Sequence, residues 1–266
     1  MSLDVTSKAV QVPQRGSQSA SRAAAVLLNL SEQRRPRSLT EIAADLGAAK
    51  SSMSGVLVSL EASGLIRREE GGYSLGPAVV ELASGFLQSY DVVAEFRRGI
   101  QESPVLGVEV CQLAVLSGDE VLYLGRHAGR PPLGFSAAPG DRFPASITAV
   151  GAALLASLDD QEVRRLYPAD AEFPIWTGNS TPDLDALLAK LAAARKRGWA
   201  IDNGETNPNV YGIAVVVRRS SVHASDLAIG ASLRPIRGAA QRAQEVAQAL
   251  LELRDRLESP NAFSQS

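Results

Sequence analysis

The 266-residue chain is 45% hydrophobic with a net charge of −2, an ordinary globular composition with room for two modest domains. No apolar run approaches the roughly 18 residues that cross a bilayer, and the polar start MSLDVTSKAVQVPQRGSQS lacks an apolar signal segment, so a cytoplasmic protein with no membrane partner is expected. The lone cysteine, Cys111, excludes an internal disulfide and a multi-cysteine metal site; in the apolar run VEVCQLAVL it reads as a buried structural thiol.

Residues 1–18 are polar and aperiodic and are expected to be a flexible tail, as are residues 259–266. SASRAAAVLLNL, Ser19 to Leu30, is rich in helix formers with Ala23, Val26, Leu27 and Leu30 on one face. The loop EQRRPRS follows, and its arginines Arg34, Arg35 and Arg37 read as solvated surface charges. Ser38 and Glu41 then have capping-box spacing, opening a short helix TEIAADL that stops at Gly47.

KSSMSGVLVSLEASGLI, Lys50 to Ile66, repeats apolar residues at Met53, Val56, Leu57 and Leu60, a stripe that wants a core. Its other face carries Ser51, Ser54, Val58 and Glu61, and Gly64 suits a left-handed cap. LIRREEGGYSLG places two short apolar runs around EEGG, a tight hairpin. Helix, short helix, turn, helix and hairpin in that order make a winged helix-turn-helix over 19–76, whose third helix enters the major groove. Residues 1–76 carry nine Lys or Arg against seven Asp or Glu, a small excess in the direction DNA binding requires.

Beyond Pro77, PAVVELASGFLQSY reads as a linker helix over 77–90. The region 91–258 mixes helices and strands: a helix near Asp91 to Gln101, strands 108–116 and 120–127 joined by SGDE, and a strand-like GFSAA. Helices Ile147 to Leu158 and Pro182 to Arg197, strands IAVVV and LAIGASL, and a final amphipathic helix Ala239 to Leu257 complete it. That mixture is an α+β domain with an antiparallel sheet.

From about Ser19 to Leu257 the chain resembles the IclR family of bacterial transcription regulators. The resemblance rests on LTEIAADLGAAKSSMSGVLVSLEASGLI and the wing ending YSLGP, then on LAVLSGDEVLYLGR, PASITAVGAALLA and RGWAIDNGETNPNVYGIAVVV. It implies a DNA-binding winged helix, a helical linker and a GAF-like effector-binding domain, assembled as homodimers or homotetramers on a double-stranded operator. The residues expected at DNA are Arg22, Thr40, Lys50, Ser51, Ser52 and Ser54, with Arg67 and Arg68 on the wing. Similar proteins often carry arginine where this chain has Gly55, so the wing and DNA shape are expected to carry more of the specificity.

Small-ligand sites are mostly apolar with a few converging polar groups. A helix start after Ser146 offers backbone N–H groups to a carboxylate. By resemblance, Ala149 and Val150 take the backbone-donor positions with Thr148 and Gly151 beside them, Asp202 faces the effector, and Phe135 and Phe143 wall the pocket. Gly212 and Gly230 stand where similar proteins often carry cysteine and serine, while Ser232 is kept. Two lost side chains suggest an enlarged cavity for a bulky, aromatic organic acid, the other reading being that these glycines serve strand packing. His127 and His223 lack metal-ligand spacing and read as surface or edge residues, and neither G-x-S-x-G nor a phosphate-cradling loop occurs. No catalytic residue, metal or cofactor is therefore assigned. The competing readings are a small-molecule enzyme or binding protein with a vestigial DNA module, and a DNA-bound adaptor with an empty sensor pocket.

Overall fold

Ser38 and Glu41 form the capping box their spacing predicts, each side chain satisfying a backbone N–H of the other. They belong to a computed structural model that describes residues 17–33, 35–88, 92–130, 137–219, 225–234 and 239–258. The chain divides into two compact units, residues 1–90 and 91–266.

In the first unit, α1 (Gln18–Ser31), α2 (Leu39–Asp45) and α3 (Lys50–Ala62) precede a hairpin of β1 (Ile66–Glu69) and β2 (Gly72–Leu75), then α4 (Ala78–Gln88). Helix α1 starts at Gln18, inside the expected tail, and residues 1–16 lie outside the described residues. Met53, Leu57 and Leu60 of α3 are buried against Val26 and Leu30 of α1, Ile42 of α2 and Ile66 of β1, and Val56 packs against the same cluster. Gly47 and Gly64, at φ +59° and +71°, end α2 and α3 in the left-handed region.

The wing is pinned from outside its own hairpin. Arg37 and Tyr73 exchange backbone hydrogen bonds of 2.9 and 2.8 Å, so the loop before α2 adds a bridge to β2. Next to it, Gly72 sits at φ +140°, and a Cβ there would collide with the Arg37 backbone.

In the second unit, α5 (Val92–Glu102) leads to β3 (Val110–Ser117), β4 (Glu120–His127) and β5 (Arg142–Pro144). A single 3-10 turn (Ala145–Ile147) then runs into α6 (Ala149–Ser157), followed by α7 (Asp160–Leu166) and α8 (Leu184–Arg197). Strands β6 (Ala200–Asn203), β7 (Tyr211–Val217) and β8 (Leu227–Leu233) and helix α9 (Ala239–Glu258) finish the unit. The strands form one antiparallel sheet in the order β5-β4-β3-β8-β7-β6. Residues 134–136 of the expected strand GFSAA lie outside the described residues, while Ala137 and Ala138 are not in a strand.

Helix α6 has no polar face: Ala149 to Leu155 are all buried, between the sheet and Leu187 and Leu191 of α8. The opposite sheet face carries α5 and α9; Gly125 of β4 lies against the Phe96 ring of α5. Leu113 shares that face with Gly125, so the alternate residues Gln112 and Ala114 face α6.

Gly72→Ala is expected to lower the unfolding free energy by about 1–3 kcal/mol, because both the backbone angle and the Arg37 contact forbid a side chain. Chemical denaturation followed by circular dichroism reads the loss; an unchanged midpoint would mean the wing is not held as described.

Candidate functional site

Two surfaces carry the residues singled out in the sequence, one in each unit. On α3, Lys50, Ser51, Ser54, Gly55 and Val58 are exposed, whereas Ser52 is half-buried beside the core residue Met53. Thr40 is exposed on α2 and Arg22 half-buried on α1. Arg67 and Arg68 project from the wing, Arg68 with its guanidinium 5.8 Å from the Tyr73 ring centre and Arg67 3.6 Å from Glu69.

The arginines before α2 are not free charges. Arg35 pairs with Glu41 at 2.6 Å, and with the Ser38 contacts holds that carboxyl down at about 2. Arg37, expected in solvent, is half-buried and bonded to Asp45 at 2.5 Å and Gln33 at 3.3 Å, because its backbone bridge to the wing draws the side chain inward. Arg34 lies outside the described residues. Lys50, Arg35, Arg67 and Arg68 all face outward among the described residues, Arg35 beside Glu41 and Arg67 beside Glu69.

In the second unit, Phe143, Thr148, Ala149, Val150, Asp202, Gly212, Gly230 and Ser232 line one cavity that opens in part to solvent. Phe135 lies outside the described residues. The helix starts two residues beyond the expected Ile147, because Ala145–Ile147 close a 3-10 turn and Thr148 becomes the N-cap. Its hydroxyl accepts from Gly151 N at 3.0 Å, which takes Gly151 out of the set of free donors. The N–H groups of Ala149 and Val150 have no acceptor among the described residues and stand at the positive end of the helix dipole.

The glycines bring this helix end down onto the sheet. A Cβ at Gly212 would lie 3.0 Å from Ala149 Cβ and 3.1 Å from Asp202 Cβ; one at Gly230 would lie 2.8 Å from Val150 Cγ1. They border the cavity, yet the space released by their missing side chains is taken largely by the first turn of α6.

The sequence reading missed Gln112, Tyr123, Ala137, Thr206 and Val210, which line the same cavity. Gln112 Nε2 donates to Ser232 Oγ at 3.2 Å across β3 and β8. Gln112 was visible as a polar residue inside an apolar strand. Tyr123 was not distinguishable from a core aromatic.

Asp202 is buried and accepts from Glu205 N at 2.6 Å and from Thr206 Oγ1 at 2.5 Å. Behind it, Lys190 of α8 bonds Glu205 at 2.5 Å and the Ser146 carbonyl at 3.0 Å, while Thr181 donates twice to Glu205. One buried ion pair therefore ties the loop after β6, helix α8 and the turn before α6. His127 is half-buried with Nε2 donating to the Gly107 carbonyl at 2.8 Å, and His223 lies outside the described residues. Cys111 is buried, and burial pushes its thiol well above the ordinary range.

Burial outweighs these hydrogen bonds and pushes Asp202 up from 3.8 to about 6. The folded state therefore holds the proton more tightly than the unfolded chain, and stability from this group is lost as pH rises from about 4 to about 6. The full shift corresponds to about 3 kcal/mol. Between pH 4.5 and pH 7.5, unfolding free energies are expected to move in favour of Asp202→Asn over the wild type by about 1–3 kcal/mol. Parallel profiles for the two proteins would show an ordinary carboxylate.

Each unit matches a known family profile. Residues 84–258 match the family profile described as bacterial transcriptional regulator IclR C-terminal, and residues 19–70 match the IclR helix-turn-helix domain. The probable transcriptional regulator SauR of Cupriavidus necator is 31% identical over 201 residues, covering 75% of this chain and 79% of that protein. The crystal structure of an IclR transcriptional regulator from Alicyclobacillus acidocaldarius superposes with a TM-score of 0.76 at 27% identity, over 92% of this chain and 98% of that one. An IclR homologue from Microbacterium hydrocarbonoxydans, complexed with 4-hydroxybenzoate, shares the fold with a TM-score of 0.73 at 23% identity, over 92% and 100% of the two chains. With profiles matched across both halves, the chain belongs to the IclR family of bacterial transcription regulators.

Proposed function

We propose that this regulator binds a specific, roughly palindromic operator and that a small organic acid, aromatic in kind, modulates that binding. The observation that carries the effector part is the pair of unfilled N–H donors on Ala149 and Val150, opening onto a cavity whose other wall holds Asp202. A carboxylate at the helix end gains two donors and the helix dipole. The aromatic wall of Tyr123 and Phe143, with ring centres 5.4 Å apart, supports a flat ring as the rest of the ligand. The homologue complexed with 4-hydroxybenzoate is a precedent for that class.

For DNA, the exposed first turns of α3 supply Lys50, Ser51 and Ser54, and the wing supplies Arg67 and Arg68. Operator binding by two copies requires pairing, and α4 supports it. Among its eleven residues only Glu81 is charged, and Val80 and Leu82 are left 67% and 62% exposed. We therefore read α4 as the helix on which a homodimer, or a tetramer of such dimers, is built. Effector closing α6 onto the Asp202 loop would favour one of two assembled states, and so one spacing of the paired DNA-binding units. Such a protein works where the DNA is, in the cytoplasm.

A mobility shift with its own upstream intergenic DNA is expected to show specific binding that Lys50→Ala with Ser51→Ala abolishes. Arg67→Ala with Arg68→Ala is expected to weaken binding to all sequences and flatten the salt dependence by up to about two phosphate contacts. Equal binding to random DNA with the same salt slope would overturn the operator reading. Benzoate-class acids are expected to raise the thermal midpoint, since a ligand of the native state stabilises it. No shift with any acid would favour a regulator that answers to a protein partner.

A further inference from the structure

The cavity holds a polar group that neither the fold nor a carboxylate at α6 uses. Tyr123 is only 6% exposed and lines the cavity, yet its hydroxyl has no hydrogen-bond partner among the described residues. The oxygen itself is not sealed from solvent, so it is open to a partner in the cavity. Its ring cannot easily turn away, being set edge-on against Phe143, which is set edge-on against Trp176, each pair with centres 5.4 Å apart. Burial first, and then the charge of Asp202, push its ionisation far up, so the group is a neutral phenol able to donate or accept.

A second polar side chain lines the same cavity. Tyr123 pairs with Ala114, two residues along β3 from Gln112, so both side chains stand on the α6 side of the sheet. Gln112 spends one N–H on Ser232 and keeps further capacity. Both differ from the helix end in what they select. Backbone donors at α6 read a carboxylate; a phenol beside an amide reads a neutral oxygen that can both give and take a hydrogen bond.

We infer that Tyr123, with Gln112 beside it, is a specificity-determining contact that selects acids bearing a second hydrogen-bonding oxygen, such as a ring hydroxyl, over their unsubstituted parents. The inference rests on the reading of the cavity as a site for aromatic acids. It adds that the site has two polar ends.

Isothermal titration of the full chain with 3-hydroxy-, 4-hydroxy-, 3-methyl- and 4-methylbenzoate, and benzoate, tests it. Methyl and hydroxyl differ little in size, so their ratio isolates the hydrogen bond. In the wild type at least one hydroxy acid is expected to bind roughly three- to tenfold tighter than its methyl partner. In Tyr123→Phe that ratio is expected to fall to about one. The unliganded Tyr123→Phe protein is expected to melt at the same temperature or higher, since the lost oxygen has no partner to leave behind. A ratio near one in the wild type, or one that survives Tyr123→Phe, would overturn this inference and leave the acid-binding reading intact. Failure of every acid to bind would overturn both, and a lowered midpoint in the variant would assign the hydroxyl a structural role instead.

Discussion

The seating of α6 on the sheet is the constraint from which the candidate effector site follows. A helix with no polar face must be covered all round, and α6 is covered by the sheet beneath and α8 above. Such a helix buries its own N-terminus with it, and buried N–H groups demand partners. Thr148 answers for one of them, at Gly151. Glycine at 212 and 230 lets the first turn approach until Ala149 and Val150 touch the strands, leaving their two donors facing the cavity. Fill those glycine positions and the helix end lifts; the binding geometry is thus a consequence of packing.

The acidic side of the cavity is held with equal economy by a buried polar network. An ion pair taken out of water gains little net stability, since desolvation offsets the attraction. Lys190 and Glu205 are retained in a form that bonds three separate pieces of chain: α8, the Asp202 loop and the Ser146 carbonyl before α6. What the pair supplies is registry between the two walls of the site. Asp202, its carboxyl raised by burial, is held on the cavity wall by these bonds. The network holds that unfavourable arrangement in place, which an apolar contact, being non-directional, would not do.

How far this was legible in the sequence follows from the length scale of each signal. Helices α1, α3, α8 and α9 declared themselves because an apolar stripe repeats over several turns, and the α2 capping box because four residues suffice to encode it. Strands β5 and β6 span three and four residues, too few for alternation to register, and they form because longer neighbours accept them at the sheet edges. Asp202 and Thr148 were named through the resemblance, whereas Tyr123 was hidden by alternation itself: which face of a strand meets the cavity is decided by the helices that pack on it. The start of α6 was misplaced for a similar reason. A 3-10 turn and a Thr cap look alike in sequence, and only the hydrogen bond to Gly151 distinguishes them.

On the DNA side, the same kind of argument separates what packing requires from what it leaves free. A Cβ at Gly55 would meet nothing within 4 Å, so no contact inside the protein demands glycine there. The missing side chain, flanked by Ser51, Ser54 and the exposed Val58, leaves the outer face of α3 low, nearly uncharged and able to approach a groove closely. Short hydroxyls discriminate bases weakly compared with bidentate side chains, and Val58 offers an apolar surface of the kind that meets a thymine methyl. Among the described residues of the loop before α2, Arg35 pairs with Glu41 and Arg37 with Asp45. Lys50 stands exposed at the start of α3, and the wing is the element fixed by Gly72 and the Arg37–Tyr73 bridge. On the operator reading proposed above, a helix face with so few long polar side chains, beside a pinned wing in which Arg67 and Arg68 are matched by Glu69 and Glu70, would place the burden of recognition on groove width as much as on base edges.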